Sequence, residues 1–240
     1  MEKSTVEEIR RRFDGDVERF SNLETGQSAT MDAPLVLDLI AQCAAAVNPG
    51  ATALLDIGCG AGNYTLRLMQ HLKLRQVTLI DLSQPMLEKA KQRINAVDPA
   101  IEVRILQADL RQVDLGEETY DLAVAAAVLH HLRTDEEWLD VFENIHASLK
   151  VRGTFWVSDL VAHQVPGVHK IIWQRYAAYL KQLKGEQYQK DVFEYIEKED
   201  TPHTLMFQLE TLKRAGFTRA EVLHANVCFG AYVGVKDAKI

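Results

Sequence analysis

The stretch that most constrains this chain is Leu54-Leu55-Asp56-Ile57-Gly58-Cys59-Gly60-Ala61-Gly62-Asn63-Tyr64-Thr65. An apolar run of strand character meets three glycines at alternate positions and then a helix start, so the backbone is bare where a buried strand gives way to a helix. A ligand can approach the main chain and its N–H groups there. Asp56 sets this turn apart from one built for phosphate, because a site meant only for pyrophosphate gains nothing from a negative charge two residues before its first glycine. In a dinucleotide fingerprint, Gly-x-Gly-x-x-Gly, the third glycine would fall where this chain has Asn63, and no phosphate-loop lysine follows. The pattern asks for an adenosine-type ligand without phosphates that carries positive groups near the turn.

S-adenosylmethionine, with its sulfonium and ammonium, fits that description. Asp56-Ile57-Gly58-Cys59-Gly60-Ala61-Gly62 resembles the first motif of class I S-adenosylmethionine-dependent methyltransferases. The resemblance implies S-adenosylmethionine as cofactor, S-adenosylhomocysteine as product, and an α/β, Rossmann-like, doubly wound seven-stranded sheet. That sheet is mostly parallel with an antiparallel C-terminal hairpin, and this chain adds a helical insertion after strand 5.

Two further acids fall where such a site needs them. Val77 to Leu82 reads as a buried parallel strand, and Asp81 lies 19 residues after Gly62, the separation at which a βαβ unit brings an acid onto ribose hydroxyls. Capping of the next helix is the other role open to Asp81, and Ser83 competes for it. Met86 lies either against an adenine face or in the core. Asp109, after the apolar run Ile101 to Leu106, looks like the family carboxylate that accepts from the adenine amino group, with a helix or turn cap as its alternative. Leu82 and Leu110 flank these acids. Ala126 stands at the small-residue end of the strand Tyr120 to Ala127, where the methionyl end of the cofactor is expected.

On the same rim stand His130 and His131, placed either to orient substrate and accept a proton or simply to pack against backbone. Tyr176, in the insertion, is the third catalytic candidate. No carboxylate or cysteine stands at ligand spacing from the histidine pair, so no metal is expected.

The rest of the chain organises around this centre as one domain, 1–240. Residues 1–31 read as an N-terminal lid or surface strap, opening on an amphipathic helix boxed by Ser4-x-x-Glu7 or Thr5-x-x-Glu8, with Arg10-Arg11-Arg12 as a charged helix face. Asp32 is placed to cap the next helix, which ends at Asn48-Pro49-Gly50. Lys150 to Gly153 reads as a turn before the strand Thr154 to Leu160. Residues 161–200 form a helical cap whose His169, Trp173, Tyr176 and Tyr179 either line a pocket or pack. Thr201-Pro202 reads as a helix start, and Arg219 to Val227 with Cys228 to Lys236 as a closing hairpin.

A net charge of −7 gives no pull toward nucleic acid or an anionic membrane. Three cysteines without C-x-x-C spacing suit a reducing cytosol, and no run approaches ~20 apolar residues, so the expectation is a cytoplasmic protein. The expected activity is in-line methyl transfer to a small-molecule acceptor, and exposed cap aromatics would suit a homodimer. The tail, from Thr201-Pro202-His203 to Cys228-Phe229-Gly230, is similar to carboxy-S-adenosylmethionine synthases linked to transfer RNA modification, so a synthase-like or tRNA-modification-related enzyme is an alternative. In those synthases an arginine of the insertion holds the cofactor's extra carboxylate, and none lies between Arg175 and Arg214 here; Arg19 or Arg175 would have to substitute. Their turn also has serine where this chain has Gly60. A protein that binds the cofactor and transfers nothing is the third alternative.

Overall fold

Short apolar runs bounded by polar or glycine residues give seven strands in the computed structural model, which describes residues 3–22 and 27–238. Part of the expected lid, residues 1–2 and 23–26, lies outside the described residues. The strands are β1 (Ala53–Ile57), β2 (Gln76–Asp81), β3 (Glu102–Gln107), β4 (Tyr120–Ala126), β5 (Leu149–Leu160), β6 (Arg219–Asn226) and β7 (Phe229–Val235). They form one sheet in the order β3-β2-β1-β4-β5-β7-β6. β7 alone runs opposite to the other six strands. Strand order reverses between β1 and β4, and in such sheets the ligand crevice lies beyond the carboxyl ends at that point.

The described helices are α1 (Val6–Gly15), α2 (Val17–Ser21), α3 (Ala33–Val47), α4 (Asn63–Leu68), α5 (Gln84–Val97), α6 (Asp135–Ser148), α7 (Pro166–Glu199) and α8 (Leu205–Arg214). Side chains alternate along each strand, so the sheet carries a core on both faces. Leu54, Val77, Leu79 and Val124 pack with Leu37, Ile40 and Leu87 of α3 and α5. Leu55, Ile57, Ala123 and Phe155 pack with Trp138, Phe142 and Ile145 of α6 and Leu212 of α8. Each side chain buried this fully contributes roughly 1.5–3 kcal/mol. That double layer fixes the strand ends on which the site is built.

Four local expectations are corrected. Lys150 to Gly153 is not a free turn but the bulged start of β5, with a register shift between Tyr120 and Leu122. Arg152 takes φ 68°, donates its N–H to the Lys236 carbonyl at 2.6 Å and accepts from Asn48 Nδ2 at 3.0 Å, so the irregular backbone is satisfied from two sides. Asp32 precedes α3 but does not cap it; its carboxylate accepts from Asn226 Nδ2 at 2.8 Å and meets His224 Nε2 at 3.0 Å. Thr204, rather than Thr201, caps α8 by accepting from the Phe207 N–H at 3.1 Å.

The fourth concerns the insertion. It begins at Pro166, in the first helical turn where proline is tolerated, and breaks at Lys184-Gly185, where Gly185 has φ 88°. A straight helix would separate Trp173 and Phe193 by about 30 Å. Their ring centroids are 5.3 Å apart, so the insertion folds back on itself as a helical hairpin. Trp173 and Phe193 both pack on Tyr176, and Tyr179 donates to the Ser28 carbonyl at 2.9 Å. The aromatics expected to be exposed for dimerisation are therefore engaged within the chain, and even His169, which is exposed, has its ring centroid 5.6 Å from that of Trp173.

Candidate active site

The glycine turn after β1 makes the floor of a cavity of about 590 Å³. Gly58 and Gly60 both sit at positive φ. A Cβ on Gly58 would lie 2.6 Å from Val128 Cγ2, so that glycine lets the turn meet the loop after β4. A Cβ on Gly60 would meet no protein atom within 4 Å and would project into open space at a residue that lines the cavity. Gly62 does not line it; an added Cβ there would stand 3.1 Å from Ala90 Cβ, so this glycine brings α4 against α5. In this structure the part Gly62 plays is helix packing.

Three acids stand along that floor, and all three line the cavity. Asp56 on β1 is 3% exposed and accepts from Thr65 Oγ1 at 2.6 Å. Burial pushes its pKa up to about 7, against the Thr65 hydrogen bond. Asp81 at the end of β2 accepts from the N–H groups of Gly60 and Ser83, each at 2.9 Å, and burial raises its pKa as well. The helix cap is Ser83, whose Oγ accepts from the Met86 N–H, which leaves Asp81 free of that task. Asp109 accepts from Arg111 Nε at 2.9 Å, from the second guanidinium nitrogen at 2.6 Å and from the Arg111 N–H at 3.0 Å. Burial works to raise its pKa, but Arg111 overrides that and holds it below the usual carboxylate range. The turn-capping role for Asp109 is therefore present, on a side chain that still borders the cavity. Leu82, Met86, Leu110 and Ala126 line it too, with Met86 buried at the start of α5.

The far wall carries the histidines. His130 Nδ1 is hydrogen-bonded to Asp159 Oδ1, and Asp159 is itself held by the N–H groups of Leu129 at 2.8 Å and Leu160 at 2.6 Å. His130 Nε2 faces Asp200 Oδ1 at 3.6 Å, and His131 Nδ1 faces the same oxygen at 3.4 Å. Burial opposes the charging of His130, but Asp159 and Asp200 overcome it and raise its pKa to about 9. Burial, reinforced by that neighbouring charge, pushes His131 well below its ordinary value. Asp200 is pushed up to about 6 by burial and by the nearby carboxylates. No carboxylate stands at ligand spacing from the histidines along the sequence, but the fold brings one to them: Asp200, from 70 positions beyond His130.

Tyr176 also lines the cavity, but its hydroxyl donates to the Ala29 carbonyl at 3.0 Å and burial raises its pKa. It is better placed as wall than as proton acceptor. Arg12 departs from the expected charged helix face. Arg10 and Arg11 do pair with Glu7 on the surface, whereas Arg12 turns inward to Glu199 at 2.8 Å and lies over the Tyr195 ring at 4.6 Å. Arg12 and Arg19 line the cavity; Arg175 does not. Ser4 Oγ donates to Glu199 Oε1 at 2.6 Å, and Asn63 Nδ2 donates to the Phe20 carbonyl at 3.0 Å, so α1 and α2 are tied over the crevice at both ends. Asp159, Asp200 and Arg12 escaped the sequence reading. The acid ending the apolar strand Val157-Ser158-Asp159-Leu160 was a usable signal; the other two had none.

Residues 54–153 match the family model described as a methyltransferase domain. That match takes in the glycine turn and strands β1 to β4, so over residues 54–153 the chain is similar to methyltransferase domains, and its strand order agrees with that likeness. Among individual relatives, the carboxy-S-adenosyl-L-methionine synthase of Vibrio atlanticus is 25% identical over 187 residues, 75% of each chain. A Burkholderia thailandensis 1,6-didemethyltoxoflavin-N1-methyltransferase, solved with its substrate and S-adenosylhomocysteine, shares the fold at a TM-score of 0.64 and 18% identity, over 99% of this chain and 93% of that one. A Nostoc punctiforme protein described as an O-methyltransferase superposes at 0.63 with 20% identity; 93% of this chain matches 60% of that one. No helix among the described residues is long and apolar enough to cross a membrane.

Proposed function

We propose that the chain transfers a methyl group from S-adenosylmethionine to a small-molecule acceptor held against the His130–His131 wall, by in-line displacement. The observation that carries this reading is the single cavity running from the three acids to the histidines, roofed by α1, α2 and the α7 hairpin. Its volume is within the 300–1,000 Å³ typical of small-molecule sites. A net charge of −7 argues against a polyanionic acceptor.

The residues fit the cofactor. Asp56 is a buried carboxylate whose side-chain partner is the Thr65 hydroxyl, which suits an ammonium or sulfonium, and the space above Gly60 is where a ligand would pass the bare backbone. We assign Asp81 to the ribose hydroxyls, Asp109 and Leu110 to the adenine edge, Met86 and Leu82 to its faces, and Ala126 to the methionyl end. The bound cofactor supplies a methyl carbon already activated by positive sulfur. The protein's share is positioning: holding donor and acceptor in line at about 3–3.5 Å, with water excluded by the roof. Of the two histidines, His131 presents the ring nitrogen without a hydrogen-bond partner.

A second reading, a synthase acting on the cofactor itself, has the support of the Vibrio atlanticus relative. The arginines that line the cavity are already engaged: Arg12 with Glu199, Arg19 with Asp16, Arg111 with Asp109, and Arg133 with the Glu199 carbonyl and Thr201 Oγ1, so holding a carboxylate would take one of them from its partner. Mass spectrometry of the ligand released from purified protein separates the readings. Unmodified S-adenosylmethionine or its demethylated product, followed by label transfer to an acceptor panel of amines, phenols, thiols and carbon acids, supports methyl transfer. A carboxylated adduct would replace it with the synthase, and tight binding without any turnover would point to a non-catalytic binding protein.

A further inference from the structure

The donor atoms His130 Nε2, His131 Nδ1 and Asp200 Oδ1 lie within 4.8 Å of one another on the cavity wall. We propose that they bind one divalent first-row metal ion of zinc type. Ligand atoms about 2.1 Å from a tetrahedral ion sit about 3.4 Å apart. The two contacts to Asp200 Oδ1, at 3.4 and 3.6 Å, already have that spacing.

Three features point to a cation rather than to a finished hydrogen-bond cluster. His131 Nδ1 and Asp200 Oδ1 are both buried and have no hydrogen-bond partner, although they face each other. Buried polar atoms left unmatched are costly, and an ion between them satisfies both. Asp159 bonds to His130 Nδ1 and leaves Nε2 facing the trio, which is the carboxylate–histidine arrangement that orients a metal-ligating imidazole. Asp159 is in turn fixed by two backbone N–H groups, so the support is built to hold one orientation. Finally, all three donors border the cavity, which leaves a fourth position open to an acceptor's oxygen or nitrogen. Two imidazoles and one carboxylate suit zinc, with ferrous iron or cobalt as geometric substitutes, and suit calcium or magnesium poorly. Use of that open position by an acceptor rests on the methyl-transfer reading; binding of the ion does not.

The test uses the full-length, tag-free protein stripped with chelator and titrated with Co²⁺, read by its visible d–d absorption, with Zn²⁺ competition and elemental analysis for stoichiometry. One ion per chain with the intense bands of a four-coordinate site is the expected result. Asp200→Asn and His131→Gln should each weaken binding at least tenfold, and Asp159→Asn by about 10–100-fold, with folding checked by circular dichroism. His71→Gln, an exposed histidine away from the cavity, should leave it unchanged. A cobalt spectrum no different from the hydrated ion in the wild-type protein, or binding that survives both ligand substitutions in folded variants, would overturn the proposal. Either outcome is read without turnover, so failure here leaves methyl transfer standing, and the reverse holds equally.

Discussion

Replacing Asp56 by asparagine should make the ligand-free protein more stable and the cofactor complex weaker, an opposition that few single substitutions produce. The reason is the burial that pushes the Asp56 pKa to about 7 from an ordinary 3.8. An acid whose folded pKa lies above its unfolded value binds its proton more tightly in the folded state. Folded stability is therefore lost as pH rises from near 4 to 7, and above 7 the full cost of keeping the carboxylate ionised is present. At about 1.4 kcal/mol per unit, that cost has a ceiling of about 4 kcal/mol. Asparagine keeps the shape and can still bond to Thr65 Oγ1, but it has no charge to bury. For the cofactor the sign reverses, because the ionised form is the one that receives a cation. About one-tenth of Asp56 is ionised at pH 6 and about nine-tenths at pH 8, so wild-type affinity should rise about tenfold across that interval. In the variant it should stay flat and weak. Calorimetry in two buffers of different ionisation enthalpy measures the affinity and the proton released together, and thermal melts of both ligand-free proteins at pH 5 and 8 measure the widening stability gap. Wild-type affinity that does not change between pH 6 and 8, or a variant whose melting point falls relative to wild type as pH rises, would refute the reasoning.

Asp81→Ala removes the proposed ribose contact and leaves the Gly60 and Ser83 N–H groups unpaired, so cofactor affinity should fall by tenfold or more, about the 1.5–3 kcal/mol of a charged hydrogen bond; unchanged calorimetric affinity would remove the assignment. Tyr176→Phe should cost about 1 kcal/mol of stability through the Ala29 carbonyl and leave turnover within about twofold, since the hydroxyl is committed elsewhere. A collapse of kcat with intact cofactor binding would restore Tyr176 as the base. Arg12→Ala strands the Glu199 carboxylate, which is 2% exposed at its side chain, and should lower stability by about 2–3 kcal/mol in urea unfolding, with Ser4 the remaining partner.

The parts of the site that could be read from the sequence are those whose geometry is local or set by one βαβ unit. Asp56 stands two residues before the turn it serves, and the distance from Gly62 to Asp81 is one helix plus one strand, so both follow from element lengths. Asp109 was legible as the polar end of a buried run, but its grip by Arg111 was not, because a turn rather than a periodic element sets it. Asp200 could not be foreseen beside the histidines. Its position depends on how the 34-residue helical segment Pro166–Glu199 reverses at Lys184-Gly185, and the apolar pattern says only that two helices exist. Arg12 looked like one of three equivalent surface charges. Which of them turns inward was decided by a glutamate at the other end of the cap, and no spacing rule links residues 12 and 199.

The junction at Glu199 and Asp200 has one more consequence. Lys3, Ser4, Arg12 and Arg133 all converge on that short segment, so polar contacts latch the beginning of the chain, the cap and the histidine turn together beside the Phe13–His131 ring contact. Because the Glu199 side chain is only 2% exposed, salt screens this latch little, and it opens instead when one of its partners is lost. Ligand exchange should accordingly quicken when Arg12 or Arg133 is replaced, which makes access a property set at this junction and not by the residues that face the acceptor.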